Sequence, residues 1–313
     1  MNELRDRLFK ELMKGGYSMS NGRKVWNVAN RSLLYFTDEL AKNFLEFRNF
    51  PRYREVFIDI EIALLKENAK RFLAELGDKP FNLIDIGCVD GIKAKTLIEE
   101  FCGDCKLRYC PVHINKYLVD LALTNVKSAN FSSIADYKSY IADLEDIEVV
   151  SNFMRNSEYQ KNAFLLLDSI LASFEIHEYL FKLSRSMLSG DILVIGNSIR
   201  TGERFSNLEV YKHAVFDEWF KPLIKGIGFE DEEVQYDARF ANGRVEGFYK
   251  IMKAKVVEYG GKKFEFNAGD EIVVAILYKY YDHELKEYCR MYFRDVEIFI
   301  DSNSEYALVL CKK

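Results

Sequence analysis

The chain has 313 residues, of which 49% are hydrophobic and 30% charged, and its formal net charge is −5 at pH 7. This composition supplies a substantial core, and the length suits one large domain or two smaller ones. Nucleic-acid-binding surfaces carry clustered positive charge, so the acidic balance and the lack of long Lys/Arg runs argue against a nucleic-acid partner.

The amino-terminal segment, MNELRDRLFKELMKGG, is charged and amphipathic and lacks the apolar stretch of a signal peptide. No apolar run approaches about 18 residues, so no membrane span is predicted. We expect a cytoplasmic protein with no membrane partner, whose six cysteines are reduced thiols. Cys102 and Cys105 form a CxxC pair, but a zinc site needs four ligands and no second pair is present, so no metal site is predicted.

The first 75 residues are predicted to be helical, most clearly 60–76, where apolar residues recur at i, i+3 and i+4. Further along, strands are predicted at 81–86, 106–112, 139–142, 163–167 and 191–196, with helices at 92–101, 115–128 and 175–188. Strands that alternate with helices predict a parallel sheet. The runs 296–301 and 306–311, joined by SNSE, predict an antiparallel hairpin that brings this sheet to seven strands.

Residues 201–282 break the alternating pattern. They contain a polar loop, TGERFSN, then a helix through EVYKHAVFDEWFKPLI, then strand-like runs around a GG pair that predicts a hairpin. We therefore expect two domains. Residues 1–60 with 201–282 are predicted to form an α+β cap domain that binds the substrate, and 61–200 with 283–313 a cofactor-binding domain.

The stretch LIDIGCVDG, residues 83–91, closes the first predicted strand of the sheet. In open parallel sheets, ligands bind beyond the carboxyl ends of the strands, often at a glycine-rich turn after the first one. The spacing D-x-G-x-x-x-G lacks the G-x-G-x-x-G dinucleotide fingerprint and the G-K-[ST] of a P-loop. It resembles the first motif of class I S-adenosylmethionine (SAM) methyltransferases, written here as Asp85, Gly87, Cys88 and Gly91.

Other segments resemble one branch of these enzymes, the histidine-specific methyltransferases of ergothioneine synthesis. The similar segments are PRYREVFIDIEIALLKENA, GIKAKTLI, RYCPVHIN, NAFLLLDSILASF, SGDILVIGNSI, and NGRVEGFYK through ILYKY, so the resemblance extends over about residues 45–313. It implies an α/β fold with a Rossmann-like seven-stranded class I methyltransferase sheet and a second α+β cap domain. It also implies SAM as the cofactor.

The cofactor positions depart from the family pattern in two places. His113 stands where the family has an acid that holds the SAM ribose, and a neutral imidazole offers one donor and one acceptor. Val89 replaces a glycine and, being β-branched, is expected to keep a negative φ. Asp143 matches the acid that faces adenine. The residues predicted to bind the cofactor are Asp85, Gly87, Cys88, Gly91, His113, Asp143 and Asp168.

The segments that bind the substrate imidazole in the family read LDSILA (167–172) and VAIL (274–277) here. A site that loses its hydrogen-bonding partners loses discrimination for that group, so histidine is not expected to be the substrate. Tyr53 is retained, and Tyr211 lies near the family's substrate-contacting tyrosine. We predict Asp168 and Tyr211 as catalytic residues that orient the acceptor, and Tyr53, Ser169 and Tyr211 as substrate-binding residues.

Three functions remain open. The favoured one is methyl transfer to a small amine or amino acid other than histidine, which needs little beyond in-line positioning of a deprotonated nucleophile. Transfer or cyclisation of the aminocarboxypropyl arm of SAM would instead release methylthioadenosine. In the third, Val89 and His113 mark a retired cofactor site on a scaffold that binds a protein partner.

Overall fold

The computed structural model describes residues 2–101 and 106–313, so the Cys102–Cys105 pair lies outside the described residues. The strands are β1 Tyr17–Ser20, β2 Arg23–Asn27, β3 Phe81–Ile86, β4 Leu107–His113, β5 Ile134–Tyr137, β6 Tyr140–Ile141, β7 Lys161–Leu166, β8 Ile192–Ser198, β9 Val234–Ala241, β10 Arg244–Ile251, β11 Lys255–Tyr259, β12 Lys262–Phe266, β13 Glu271–Tyr278, β14 Asp295–Ile300 and β15 Tyr306–Lys312. The α-helices are α1 Asn2–Gly15, α2 Asp38–Arg48, α3 Pro51–Tyr53, α4 Asp59–Ala74, α5 Ile92–Glu99, α6 Lys116–Ser128, α7 Ile147–Met154, α8 Ile176–Ser186, α9 Leu208–Tyr211, α10 Ala214–Ile227 and α11 Asp282–Arg290.

The chain divides into two compact units, each made of two chain segments. The first unit comprises the chain up to Tyr53 together with Arg204–Tyr278, and the second comprises Arg54–Glu203 together with Lys279–Lys313.

The sheet of the second unit has the strand order β14-β15-β8-β7-β3-β4-β5, with β6 also paired to β4. Strands β8, β7, β3, β4 and β5 are parallel, whereas β15 is antiparallel to both β8 and β14. Strands β3, β4 and β8 are buried along their whole length, which explains their continuous apolar character. The predicted parallel sheet with a terminal antiparallel hairpin is confirmed.

One predicted strand is wrong in detail. The run 139–142 is predicted as one strand, but β6 covers only Tyr140–Ile141 of it and a further strand, β5, precedes it at Ile134–Tyr137, so within the described residues the sheet has eight strands rather than seven. Strand β5 pairs with β4 from Leu107 to Tyr109, and β6 pairs separately with Val112 and His113 at the carboxyl end of β4.

Helices α5, α6 and α8 connect the parallel strands and match the predicted positions. The carboxyl ends of β3, β4, β7 and β8 therefore lie along one edge of the sheet, called here the carboxyl edge, and their amino ends along the opposite amino edge. The carboxyl edge is where an open parallel sheet binds ligands.

The first unit contains a mixed sheet of order β1-β2-β13-β10-β9 and a separate hairpin of β11 and β12. The hairpin confirms the GG prediction, because Gly260 and Gly261 form its turn with φ of +56° and +75°. The α-helices of this unit are α1, α2, α3, α9 and α10.

The expectation that the first 75 residues are entirely helical is wrong. Strands β1 and β2 form an antiparallel hairpin there. Its turn consists of Asn21 and Gly22, both with positive φ, the geometry that an Asn-Gly pair favours in a two-residue hairpin. The single helix predicted through 209–224 is also divided, because His213 caps a new helix by accepting the Val215 N–H at its Nδ1.

Candidate active site at the carboxyl edge of the second unit

The turn after β3 depends on two glycines with left-handed backbones. Gly87 has φ +71°, and its N–H donates to the Val112 carbonyl at 2.8 Å. Gly91 has φ +72° and starts α5, and a Cβ placed there would lie 3.0 Å from the Ala122 carbonyl oxygen. Residues with side chains are disfavoured at both positions, so the spacing of these glycines is fixed by the turn and by packing against α6.

Three other residues of the motif face the protein interior. Asp85 is 6% exposed and accepts the Tyr109 hydroxyl at 2.8 Å, and burial raises the pKa of its carboxyl to about 7. Cys88 packs against α6, and burial raises the pKa of its thiol well above the usual range, so it is an unreactive core thiol. Val89 is not among the described residues with positive φ, as its β-branched side chain predicts.

His113 ends β4 and is buried. Its Nδ1 accepts the Asn115 N–H at 2.9 Å, which places the proton of the neutral ring on Nε2 and makes that nitrogen a donor. Asp143 is half-buried and caps a 3₁₀ turn, Leu144–Asp146, by accepting the Glu145 N–H at 3.2 Å. His113 is thus the last residue of β4, and Asp143 lies in the segment that follows β6.

The turn after β7 carries backbone strain. Asp168 and Ser169 have φ of +59° and +54°, and each non-glycine residue in this region costs about 1 kcal/mol or more. The turn is held by the Ser169 side chain, whose Oγ accepts the Ser198 N–H at 2.9 Å and lies 3.4 Å from the Tyr306 hydroxyl. Strain of this kind persists only where surrounding contacts enforce it, and it concentrates at functional sites.

Asp168 also belongs to a buried ionic cluster that sequence reasoning missed. The Lys93 ammonium, on α5, donates to Asp168 Oδ1 at 2.5 Å and to the Glu61 carboxylate, which α4 supplies. The side chains of Glu61 and Lys93 are 0% and 5% exposed, whereas that of Asp168 is 16% exposed. The cluster therefore holds two carboxyl groups against one ammonium, burial raises the pKa of Glu61, and Asp168 is the most exposed member.

A signal for Glu61 was present in the sequence. The buried face of α4 consists of Glu61, Leu64, Leu65, Ala69 and Phe72, so the acid occupies an apolar position of the helical pattern. A carboxylate on such a face needs a buried partner. Periodicity alone does not identify that partner, because Lys93 lies 32 residues further along the chain.

Lys279 is a second buried charge at this edge. It is 1% exposed, and its ammonium donates to Ser198 Oγ at 2.6 Å. Burial lowers the pKa of Lys279 to about 7. Ser198, the last residue of β8, thereby joins Lys279 to Ser169 in the turn after β7.

The two tyrosines predicted to bind substrate lie in the first unit. Their rings both neighbour Phe216, with centroid distances of 6.2 Å from Tyr53 and 5.1 Å from Tyr211. Tyr211 is 5% exposed, and burial raises the pKa of its hydroxyl, so it keeps its proton at neutral pH. The carbonyl of Tyr211 accepts the Tyr236 hydroxyl at 2.9 Å.

Comparison with known proteins identifies the class. The family model of histidine-specific, SAM-dependent methyltransferases matches residues 32–313. The chain therefore belongs to the histidine-specific SAM-dependent methyltransferase family, as its motifs predict. It is a SAM-dependent transferase, and SAM is its cofactor. No curated protein matches the chain.

Solved structures similar to this chain share little sequence with it. A SAM-dependent methyltransferase from Clostridium acetobutylicum has 13% identity and a TM-score of 0.47, with 87% of this chain and 98% of that chain covered. A Burkholderia thailandensis 1,6-didemethyltoxoflavin-N1-methyltransferase has 11% identity, coverages of 95% and 98%, and a TM-score of 0.41. Human N-acetylserotonin methyltransferase, solved with SAM, has 11% identity, coverages of 100% and 66%, and a TM-score of 0.44.

The residues at the carboxyl edge fit this cofactor. SAM carries a sulfonium and an ammonium, and the edge presents the partly exposed carboxylate of Asp168, which belongs to the cluster with Glu61 and Lys93. The left-handed glycines 87 and 91 form a turn at the usual cofactor position. Across residues 2–101 and 106–313, no helix is long and apolar enough to cross a membrane.

Proposed function

We propose that this protein transfers the methyl group of SAM to the nitrogen of a small amine or amino acid other than histidine. The observation that carries the proposal is the turn after β7, where a strained backbone presents Asp168 at the ligand-binding edge of the sheet. Its partly exposed carboxylate suits a cationic ligand or an amine.

Two segments support the exclusion of histidine. The 3₁₀ turn Ile170–Ser173 carries Ala172 at 0% exposure, so this segment offers no amide there for an imidazole. In β13, Val274 and Ala275 are buried and apolar as well. A site that reads an imidazole needs hydrogen-bonding side chains at such positions, and their loss removes the selectivity for it.

We assign cofactor binding to the second unit. Gly87 and Gly91 shape the turn. The Nε2 of His113 donates to a ribose hydroxyl, and Asp143 contacts the adenine. Asp168 serves the ammonium of the cofactor's amino-acid end. When bound, SAM supplies an activated methyl group on a sulfonium. The protein therefore has to position and desolvate the reacting groups rather than activate the methyl group.

The protein's own residues then have limited roles in the reaction. Tyr211 keeps its proton, because burial raises its pKa, so it orients the acceptor rather than deprotonating it. Tyr53 offers an aromatic face beside Phe216 in the first unit, which we assign to acceptor binding. Ser169 contributes its hydroxyl, and Asp168 directs the acceptor nitrogen. The predicted location of this activity is the cytoplasm.

The test is product analysis with SAM and a panel of primary and secondary amines and amino acids that includes histidine. Mass spectrometry should detect S-adenosylhomocysteine together with a methylated amine. Methylthioadenosine would overturn methyl transfer in favour of aminocarboxypropyl chemistry, and methylated histidine would overturn the proposed acceptor class. Asp168→Asn should lower turnover, and the exposed Lys95→Met on α5 is the matched control.

A further inference from the structure

Glu61, on α4, lies against α5 and the turn after β7 in the second unit. Its two carboxylate oxygens each accept the Asp168 N–H at 3.1 Å, and it pairs with Lys93. The donors that hydrogen-bond to this carboxylate are thus a backbone amide and an ammonium, and it is 0% exposed.

Gly196 shows how closely the sheet is built around this carboxylate. A Cβ placed on Gly196 would lie 1.7 Å from Glu61 Oε1 and 2.8 Å from its Cδ. The φ of Gly196, within β8, is outside the left-handed range, so the backbone itself does not demand glycine there. What requires glycine at this position is the space taken by Glu61.

The contacts of Glu61 act on the strained turn. Asp168 is left-handed, and its N–H points at Glu61 while its carboxylate is held by Lys93. Glu61 therefore fixes both the backbone of the turn and, through Lys93, the side chain that presents the charge. A left-handed aspartate held from both ends does not need to rearrange when a ligand binds, and preorganisation of this kind raises affinity.

We infer that Glu61 is a positioning residue that sets SAM affinity by holding Asp168 and Lys93 in place for the charged amino-acid end of the cofactor. This inference rests on the proposed function, since it assigns that end of SAM to Asp168. Glu61 acts through Asp168 and Lys93 and is not assigned a contact with the cofactor. Its effect is therefore confined to ligands that carry the amino-acid end.

The test compares SAM with methylthioadenosine, which lacks the amino-acid end, by calorimetric titration. Glu61→Gln keeps the shape of the side chain but places an amide NH₂ among donors, so SAM affinity should fall by about 10- to 100-fold. Affinity for methylthioadenosine should stay within about twofold. Equal losses for both ligands would assign Glu61 to stability alone and overturn the inference.

A double-mutant cycle gives an independent readout. Gly196→Ala should force the Glu61 carboxylate to move and weaken SAM binding. In the Glu61→Ala background the added methyl group meets only the flexible Leu167 side chain, at 3.2 Å from its Cδ2, and should cause little further loss. Additive effects of the two substitutions on SAM affinity would contradict the inference. Thermal unfolding of each variant establishes that the titrated protein is folded.

The matched control uses two lysines of α5. Lys93→Met should imitate Glu61→Gln, whereas Lys95→Met, which removes only an exposed contact with Glu99 at 3.9 Å, should leave SAM affinity unchanged. Wild-type protein that binds neither ligand would reject the proposed function itself. Wild-type binding that Glu61→Gln and Lys93→Met leave intact would reject only the role of Glu61.

Discussion

Buried charged side chains are paired differently at the two edges of the parallel sheet in the second unit. At the amino edge, Asp191 is 1% exposed, accepts the N–H groups of Asn162 and Leu188 at 2.8 and 2.7 Å, and pairs with Arg155. At the carboxyl edge, two carboxylates share Lys93, and the turn that carries one of them is left-handed. At the amino edge Asp191 has one basic partner. At the carboxyl edge two acidic side chains share one lysine, and the backbone of the turn is strained.

This difference indicates that the buried charges at the amino edge serve stability and that those at the carboxyl edge serve ligand binding. A buried acid paired one to one with a base and with backbone donors anchors the strand ends, and removing it leaves the partners unsatisfied. A strained turn with surplus carboxylate lowers stability and persists where ligand binding makes use of it. We expect substitutions at the amino edge to unfold the protein, and those at the carboxyl edge to affect binding first.

The largest effect on stability is expected from Asp191→Ala. The change removes the carboxylate partner of Arg155 and the acceptor of two backbone N–H groups, so the free energy of unfolding should fall by about 3–5 kcal/mol. Urea denaturation measures this loss, and SAM affinity of the remaining folded protein should match the wild type. A variant as stable as the wild type would remove the basis of the comparison.

Asp85 should contribute to the pH dependence of stability in the acid range, together with Glu61, whose pKa is also raised by burial. The folded pKa of Asp85, about 7, is raised by burial above the ordinary value of 3.8, so the stability that Asp85 gives is complete below pH 3.8 and is lost as pH rises towards 7. Between pH 5 and pH 7 the expected loss is about 2 kcal/mol.

Asp85→Asn should abolish that part of the pH dependence, because the amide oxygen still accepts the Tyr109 hydroxyl but does not titrate. Urea denaturation of both proteins at pH 5, 6, 7 and 8 measures the difference between them. Groups common to both proteins, Lys279 among them, cancel in this subtraction. Parallel curves would show that the Asp85 carboxyl does not titrate in this range.

Asp168→Gly should change stability and SAM affinity in opposite directions. Glycine relieves the left-handed strain and removes one of two carboxylates near Lys93, so unfolding should cost about 1 kcal/mol more than in the wild type. SAM affinity should fall at the same time. Asn130→Gly, at φ +51° on the carboxyl side of α6, is the control that changes stability without affecting affinity. Loss of both properties in Asp168→Gly would contradict the comparison.

The smallest effect is expected from His113→Asp. A carboxylate still accepts the Asn115 N–H and adds acceptors for ribose hydroxyls, so SAM affinity should rise by about threefold to fivefold. The same change at the exposed His283 should have no effect on affinity. Weaker binding by His113→Asp would mean that the Nε2 donor of His113 is the better partner for the ribose.

The sheet was predictable from the sequence because its buried strands have a distinctive residue pattern. Continuous apolar runs such as ILVIG in β8 indicate burial on both faces, and the helices between them fix parallel order. The hairpin of β1 and β2 was missed, although its Asn-Gly turn is a strong signal, because the flanking strands are short and mostly exposed.

The candidate site was predictable only in part. Motif spacing placed Asp85 at the end of β3 and Gly87 and Gly91 in the turn that follows, since a local turn depends on residues that are neighbours in sequence. The cluster of Glu61, Lys93 and Asp168 joins three distant segments, and no local pattern reveals such pairing. The same holds for Lys279 and Ser198, which lie 81 residues apart.

Calorimetric titration of the wild-type protein and Asp168→Asn with SAM tests the central claim most directly, namely that the strained turn at the carboxyl edge binds the cofactor. We expect saturable binding by the wild type and at least about tenfold weaker binding by the variant, because a charge-assisted contact is lost. Equal affinity of the two proteins, or no binding by folded wild type at millimolar SAM, would contradict this claim.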